Sequence, residues 1–173
     1  MKMLKLLALA GLIAATAACT NPDRFAGDGA QTDPNANVAV APPPLTGAND
    51  PNSPQYFSQT IGDRVLFEVD QSTLTAAGQR TLDGQAQWLQ TNADYRAIIE
   101  GHADEQGTRE YNLALGARRA NAVREYLVSK GVPSGRLQVI SYGKERPIEV
   151  CASEACYSQN RRAVTIISIG ATS

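Results

Sequence analysis

The sequence predicts an α+β fold for residues 56–173: helices packed on one face of a mixed four-stranded sheet, in the order β-α-β-α-β-β. Three observations lead there. Apolar residues alternate at residues 64–70 (RVLFEVD), where Val65, Phe67 and Val69 share a face. Two stretches of helical spacing each follow a threonine suited to cap a first turn, Thr75 and Thr108. Short runs rich in branched aliphatic residues recur at 96–101, 137–142 and 163–169.

Taken in order, residues 64–70 form the first strand. Thr75 opens a helix predicted to reach Asn92, with Leu82, Ala86 and Leu89 on its buried side; Gly78 and Gly84 each weaken it by about 1 kcal/mol relative to alanine. Residues 96–101 (RAIIEG) are the second strand. Thr108 opens the longest helix, which extends to Lys130 and is stopped by Gly131 and Pro133. LQVISY (137–142) and AVTIISI (163–169) supply the last two strands. No internal repeat is visible.

Residues 1–18 have the layout of a secretory signal: Lys2 and Lys5, an apolar run over 6–15, then Thr16, Ala17 and Ala18 before Cys19. The run is too short to span a hydrocarbon core of about 30 Å. Small residues leading into a cysteine resemble the lipobox of bacterial lipoproteins, although Thr16 stands where an aliphatic residue is usual. That resemblance implies a diacylglycerol on Cys19, which becomes the mature N-terminus. Each buried methylene contributes about 0.8 kcal/mol, so several acyl chains on one cysteine anchor durably. Residues 19–55 hold every proline except Pro133 and Pro147, together with many Asn, Asp, Gly and Ala. Such a segment buries too little to fold and reads as a tether reaching roughly 120 Å when fully extended.

The chain carries 16 basic and 17 acidic residues, two of the lysines lying in the leader. The strongly basic field expected of a nucleic-acid binder is absent, as is a polybasic segment for anionic lipid. Cys151 and Cys156 form a C-x4-C pair in a chain bound for an oxidising compartment, so a disulfide is expected, with two free thiols as the alternative. A lone His102 is too little to complete a zinc site with them. Neither a metal nor a cofactor is expected.

Gly101-His102-Ala103-Asp104-Glu105 lies in the loop feeding the long helix, a place where functional groups gather. The chain has no HExxH, Gly-x-Ser-x-Gly, Walker or GxGxxG pattern. An enzyme using Asp104 and Glu105 as acid and base is disfavoured, because adjacent carboxylates seldom reach the roughly 5–9 Å separation that glycosidases use. At 100° per residue, Leu113, Ala117, Ala120, Val123 and Leu127 fall on the core face of the long helix and Arg118 points to solvent. Arg119 falls on the shoulder beside Asn112 and Leu115, half-buried and in need of an anionic partner such as Asp104. Two readings are open. Asp104 and Arg119 form a structural ion pair, or they form a site with one acid and one base, suited to a ligand with both an ammonium and a carboxylate. Amino-acid groups of peptidoglycan stem peptides have that form.

Three motifs carry a family resemblance: EGHADEQGTREYNLALGARRANAVREYL (100–127), SYGKERP (141–147) and YSQNRRAV (157–164). Over about 100 residues the chain resembles the OmpA-like peptidoglycan-binding domain, and within that family the wall-associated lipoproteins of the Tol-Pal system. The resemblance implies a non-catalytic domain that grips diaminopimelate, with the motif aspartate at Asp104, the motif arginine at Arg119, and Asn112 and Leu115 between them. Asp70 corresponds to an aspartate at the end of the first strand; Val69 stands where relatives carry an aromatic. Arg161 and Arg162 match the NRR motif, either pairing with carboxylates to fix the last strand or touching ligand. The resemblance further implies TolB as a partner and a part in drawing the outer membrane inward at division. Another OmpA-like lipoprotein outside the Tol system is the alternative. Thr20 lacks the aspartate that signals inner-membrane retention in some bacteria, which favours the outer membrane.

Overall fold

The computed structural model describes residues 47–150 and 152–169. The leader, Cys19, the tether up to residue 46 and Cys151 lie outside these residues, as do the expectations that rest on them. The α+β architecture is as expected. Strands β1 (Arg64–Leu66), β2 (Tyr95–His102), β3 (Leu137–Gly143) and β4 (Arg162–Ile169) form one sheet in the order β1-β4-β2-β3. β2 and β3 are parallel; the other two pairings are antiparallel. Helices α2 (Ala76–Thr91) and α3 (Arg109–Ser129) begin at the expected caps, Thr75 Oγ1 accepting from Gly78 N at 3.0 Å and Thr108 Oγ1 from Tyr111 N at 3.2 Å. Leu82, Leu89, Ile99, Val123 and Leu127 are wholly buried where these helices meet the sheet.

The structure departs from the predicted elements in three places. β1 ends at Leu66, short of Asp70, because its partner runs out: Leu66 pairs with Arg162, the first residue of β4. Phe67 still donates to Arg161 O at 2.9 Å and stays buried, while Val69 turns outward and Asp70 adopts φ 57°. A short helix α4 (Glu154–Asn160) precedes β4. Finally, packed structure begins before residue 56. Helix α1 (Pro54–Tyr56) is capped by Ser53 Oγ, which accepts from Tyr56 N at 3.0 Å, and continues as a π-helical turn through Phe57–Gly62. Phe57 meets Trp88 edge-on with centroids 5.0 Å apart, and Trp88 Nε1 donates to Pro51 O at 2.7 Å. A buried indole N–H needs an acceptor, and the end of the presumed tether supplies it.

The wheel assignment for α3 is also corrected. Leu113 is 46% exposed, Ala117 is only partly buried, and Asn112, Leu115, Gly116 and Arg119 turn inward with Ala120, Val123 and Leu127. The cause is a backbone contact. A Cβ at Gly101 of β2 would overlap the carbonyl of Gly116, and one at Gly116 would stand 2.7 Å from Gly101 O. Two glycines let helix and strand touch, and that contact rotates α3 by roughly 60° from the orientation its apolar side chains alone suggest.

On the sheet face away from the helices, His102 stacks on Tyr142 with centroids 5.6 Å apart, and Arg146 lies over the same tyrosine at 3.7 Å. Neither His102 ring nitrogen has a hydrogen-bond partner among the described residues, the Glu100 carboxylate standing 3.6 Å from Nε2, and the residue is 1% exposed. Burial first, then Arg162 and Arg146, hold its pKa down to about 4 from an ordinary 6.5, so it is neutral at pH 7.

Two outcomes are expected. Gly101→Ala forces α3 off the sheet and should cost about 3 kcal/mol in urea unfolding. His102 binds its proton more weakly folded than unfolded, so its contribution is complete above pH 6.5 and is lost as pH falls toward 4. Stability measured by urea unfolding at pH 7, 5.5 and 4.5 should drop by up to ~3 kcal/mol. In His102→Gln that part of the slope should vanish.

Candidate ligand-binding cleft

Two loops at one end of the sheet form the site: residues 67–75, from β1 to α2, and residues 103–108, from β2 to α3. Arg119 ties the first loop to the end of β2, from which the second loop departs. Its Nε donates to Gln71 O at 2.8 Å, Nη2 to Glu68 O at 3.1 Å and Nη1 to His102 O at 2.9 Å. The guanidinium also lies over the Phe67 ring at 5.2 Å. Arg119 is therefore 0% exposed rather than half-buried, and its principal partners are carbonyls. Burial lowers its pKa to about 10, with Asp104 and Asp70 opposing the shift and Arg161 adding to it, so it keeps its charge at neutral pH.

The predicted ion pair between Asp104 and Arg119 does not form. Asp104 Oδ2 pairs instead with Arg161 Nη1 at 3.2 Å, while Oδ1 accepts from Gln106 N at 3.2 Å. Arg161 reaches Asp104 because it begins the turn into β4, directly beside the end of β1, where its Nε donates to Phe67 O at 3.2 Å. Its Nη2 pairs with Glu154 of α4. Arg161 thus pairs with carboxylates, as one of the two readings had it. Arg162 instead donates to carbonyls, Arg146 O at 3.1 Å and Asn160 O at 3.4 Å.

Asn112 is buried under the second loop, donating to Gln106 O at 2.8 Å and Asp104 O at 3.2 Å. Gly107, at φ 91°, makes the turn that brings those carbonyls down, and Lys144 Nζ holds Gly107 O at 2.7 Å from outside. Asn160, wholly buried, accepts from Ile148 N and Glu149 N and donates to Glu105 Oε1 at 2.9 Å. It fastens the segment before α4 to the same loop.

Between the loops lies a cleft of about 250 Å³ lined by Val69, Asp70, Asp104, Gln106, Gly107, Tyr111, Asn112 and Leu115. Of the residues singled out from sequence, Asp70, Asp104, Asn112 and Leu115 meet here, while Arg119 lies behind the lining. Sequence reasoning missed Tyr111, whose hydroxyl donates to Asp70 Oδ1 and whose own pKa is raised by that bond. Its wheel position, about 260° beside Leu115 at about 300°, was the available signal. Two carboxylates line the cleft and a buried guanidinium stands close by, so an ammonium finds direct partners and a carboxylate finds a favourable field. Among the described residues no group of three or more His, Cys, Asp or Glu is placed to hold a metal ion, and no helix is long and apolar enough to cross a membrane. Cys156, on α4, is disulfide-bonded.

Residues 66–161 match the OmpA family. A peptidoglycan-associated lipoprotein of Mesorhizobium japonicum is 61% identical over 122 residues, covering 70% of this chain and 73% of its own. Another of that name from Pseudomonas putida is 41% identical over 167 residues, covering 94% and 97%. The crystal structure of the peptidoglycan-associated lipoprotein from Burkholderia pseudomallei superposes with a TM-score of 0.63 at 39% identity, covering 70% of this chain and 98% of that one. The C-terminal domain of Helicobacter pylori MotB shares the fold, with a TM-score of 0.58 at 23% identity. With more than half its length matched and relatives this similar, the chain belongs to the OmpA family, in its peptidoglycan-associated lipoprotein branch.

Proposed function

We propose that this chain is a non-catalytic lipoprotein that binds peptidoglycan and ties the outer membrane to the cell wall as part of the Tol-Pal system. Lipid on Cys19 holds one end in the outer membrane, residues 20–46 span the gap, and the periplasmic domain takes the diaminopimelate of a stem peptide. The observation that carries this reading is the cleft itself, with Asp104 and Asp70 on its lining and Arg119 buried beside it. Diaminopimelate bears an ammonium and a carboxylate on the same carbon. The ammonium meets Asp104, with Asp70 held toward the cleft by Tyr111. The carboxylate enters the field of Arg119, which has five N–H donors and gives three to backbone carbonyls. TolB is the proposed protein partner, and support of envelope invagination during division the proposed role. The names of the relatives and the secretory layout of residues 1–18 support the same reading.

The purified domain should co-sediment with peptidoglycan sacculi, and Asp104→Ala should release it, with a lowered unfolding midpoint because the buried Arg161 and Gln106 N lose a partner. Undiminished sedimentation of that variant would sink the site assignment. Arg119→Ala should also release it, but with about 3 kcal/mol lost in urea unfolding, because three carbonyls lose a charged donor. Mass spectrometry of the mature N-terminus should find an acylated Cys19, and the domain should pull down TolB.

A further inference from the structure

We propose that Arg161 is a positioning residue for the cleft carboxylate, and that Glu154, behind it on α4, sets how strongly Asp104 holds an ammonium group. This rests on the reading of the cleft as an amino-acid site. The Arg161 side chain is 4% exposed and stands between two carboxylates. One is Asp104, which lines the cleft; the other is Glu154, whose side chain is 65% exposed and which lies outside the lining. Arg161 Nη1 is shared, 3.2 Å from Asp104 Oδ2 and 3.4 Å from Glu154 Oε2, while Nη2 is given to Glu154 Oε1.

An arginine facing Asp104 alone would neutralise it, and the cleft would have little charge to offer a cation. A second carboxylate on the far side takes up part of the guanidinium's charge and draws it back. Asp104 is then held in place by Arg161 and by Gln106 N, yet stays negative toward the cleft. Hydrogen bonding to Arg161 in turn keeps the Glu154 carboxyl below its ordinary pKa, so the arrangement is charged at neutral pH. Arg161 also donates to Phe67 O, so removing it would disturb the first loop. Glu154, at the surface, is the cleaner handle.

The test measures binding of two soluble muropeptides to the mature chain by calorimetry. One ends in diaminopimelate with its amine free; the other carries that amine N-acetylated. The wild type should prefer the free amine. Glu154→Gln keeps the shape but removes the charge, and should weaken binding of the free-amine ligand roughly fivefold, at the low end of couplings between sites. Affinity for the acetylated ligand and the unfolding midpoint should stay as they are. Glu154→Asp should retain most of the wild-type preference. Equal preference in Glu154→Gln and wild type, or an equal loss for both ligands, would overturn the positioning role and leave the cleft reading intact. No preference in the wild type would overturn the cleft reading and this inference together.

Discussion

A guanidinium taken out of water costs several kcal/mol unless its donors are met, and Arg119 meets that cost in a way that organises the whole binding end. Its three bonded nitrogens reach the carbonyls of Glu68 and Gln71 in the first loop and of His102, the last residue of β2, about thirty residues further along the chain. The first loop has no strand partner beyond Phe67, so the arginine ties it to the end of β2 as a strand partner does elsewhere. Arg161 repeats the device from the other side, linking Phe67 O to the Asp104 carboxylate. The cleft is therefore a gap between two arginine-stapled loops. The same charges that hold its walls supply the field by which it would recognise a zwitterion.

Those staples work only if α3 sits at the right depth and rotation. The Gly101–Gly116 contact fixes both. From it, Asn112 falls beneath the 103–108 loop and Arg119 beneath the 67–75 loop, one helix serving both. Gly143 adds a second close approach, at φ 53°, where a Cβ would stand 2.8 Å from Leu113 N. The end of β3 can thus pass against the first turns of α3, and Ser141 Oγ can donate to Leu113 O at 2.6 Å.

The fold was legible in the sequence because its signals are local. Thr75 and Thr108 cap their helices within one turn, and the strand runs carry their own periodicity. Asp104 was legible for a similar reason, lying in the loop that feeds the long helix, while Asn112 and Leu115 were named through the motif shared with the family. What stayed hidden depends on contacts between distant residues. The ion pair was assigned to Asp104 and Arg119 because the wheel left Arg119 half-buried near the loop that carries Asp104, whereas Arg161, 57 residues from Asp104, reaches it only through the pairing of β1 with β4. The rotation of α3 followed from glycines, which a wheel of apolar side chains does not weigh. The exact end of β1 depended on where β4 begins, and the packed role of residues 47–55 on Trp88, far along the chain.

That last contact has a mechanical meaning. If the protein bears tension between membrane and wall, the pull enters at the start of the packed chain and must cross residues 47–62 before it reaches β1. This arm is held to α2 by the Phe57–Trp88 contact and by bonds from Trp88 Nε1 to Pro51 O and from Gln85 Nε2 to Gly62 O, not by the sheet. Peeling it away would release roughly 50 Å of chain while the loops around the cleft kept their arginine staples. The arm is then a slack reserve in series with the grip. A sudden separation of the two layers would be spent on lengthening the protein before it was spent on breaking its hold.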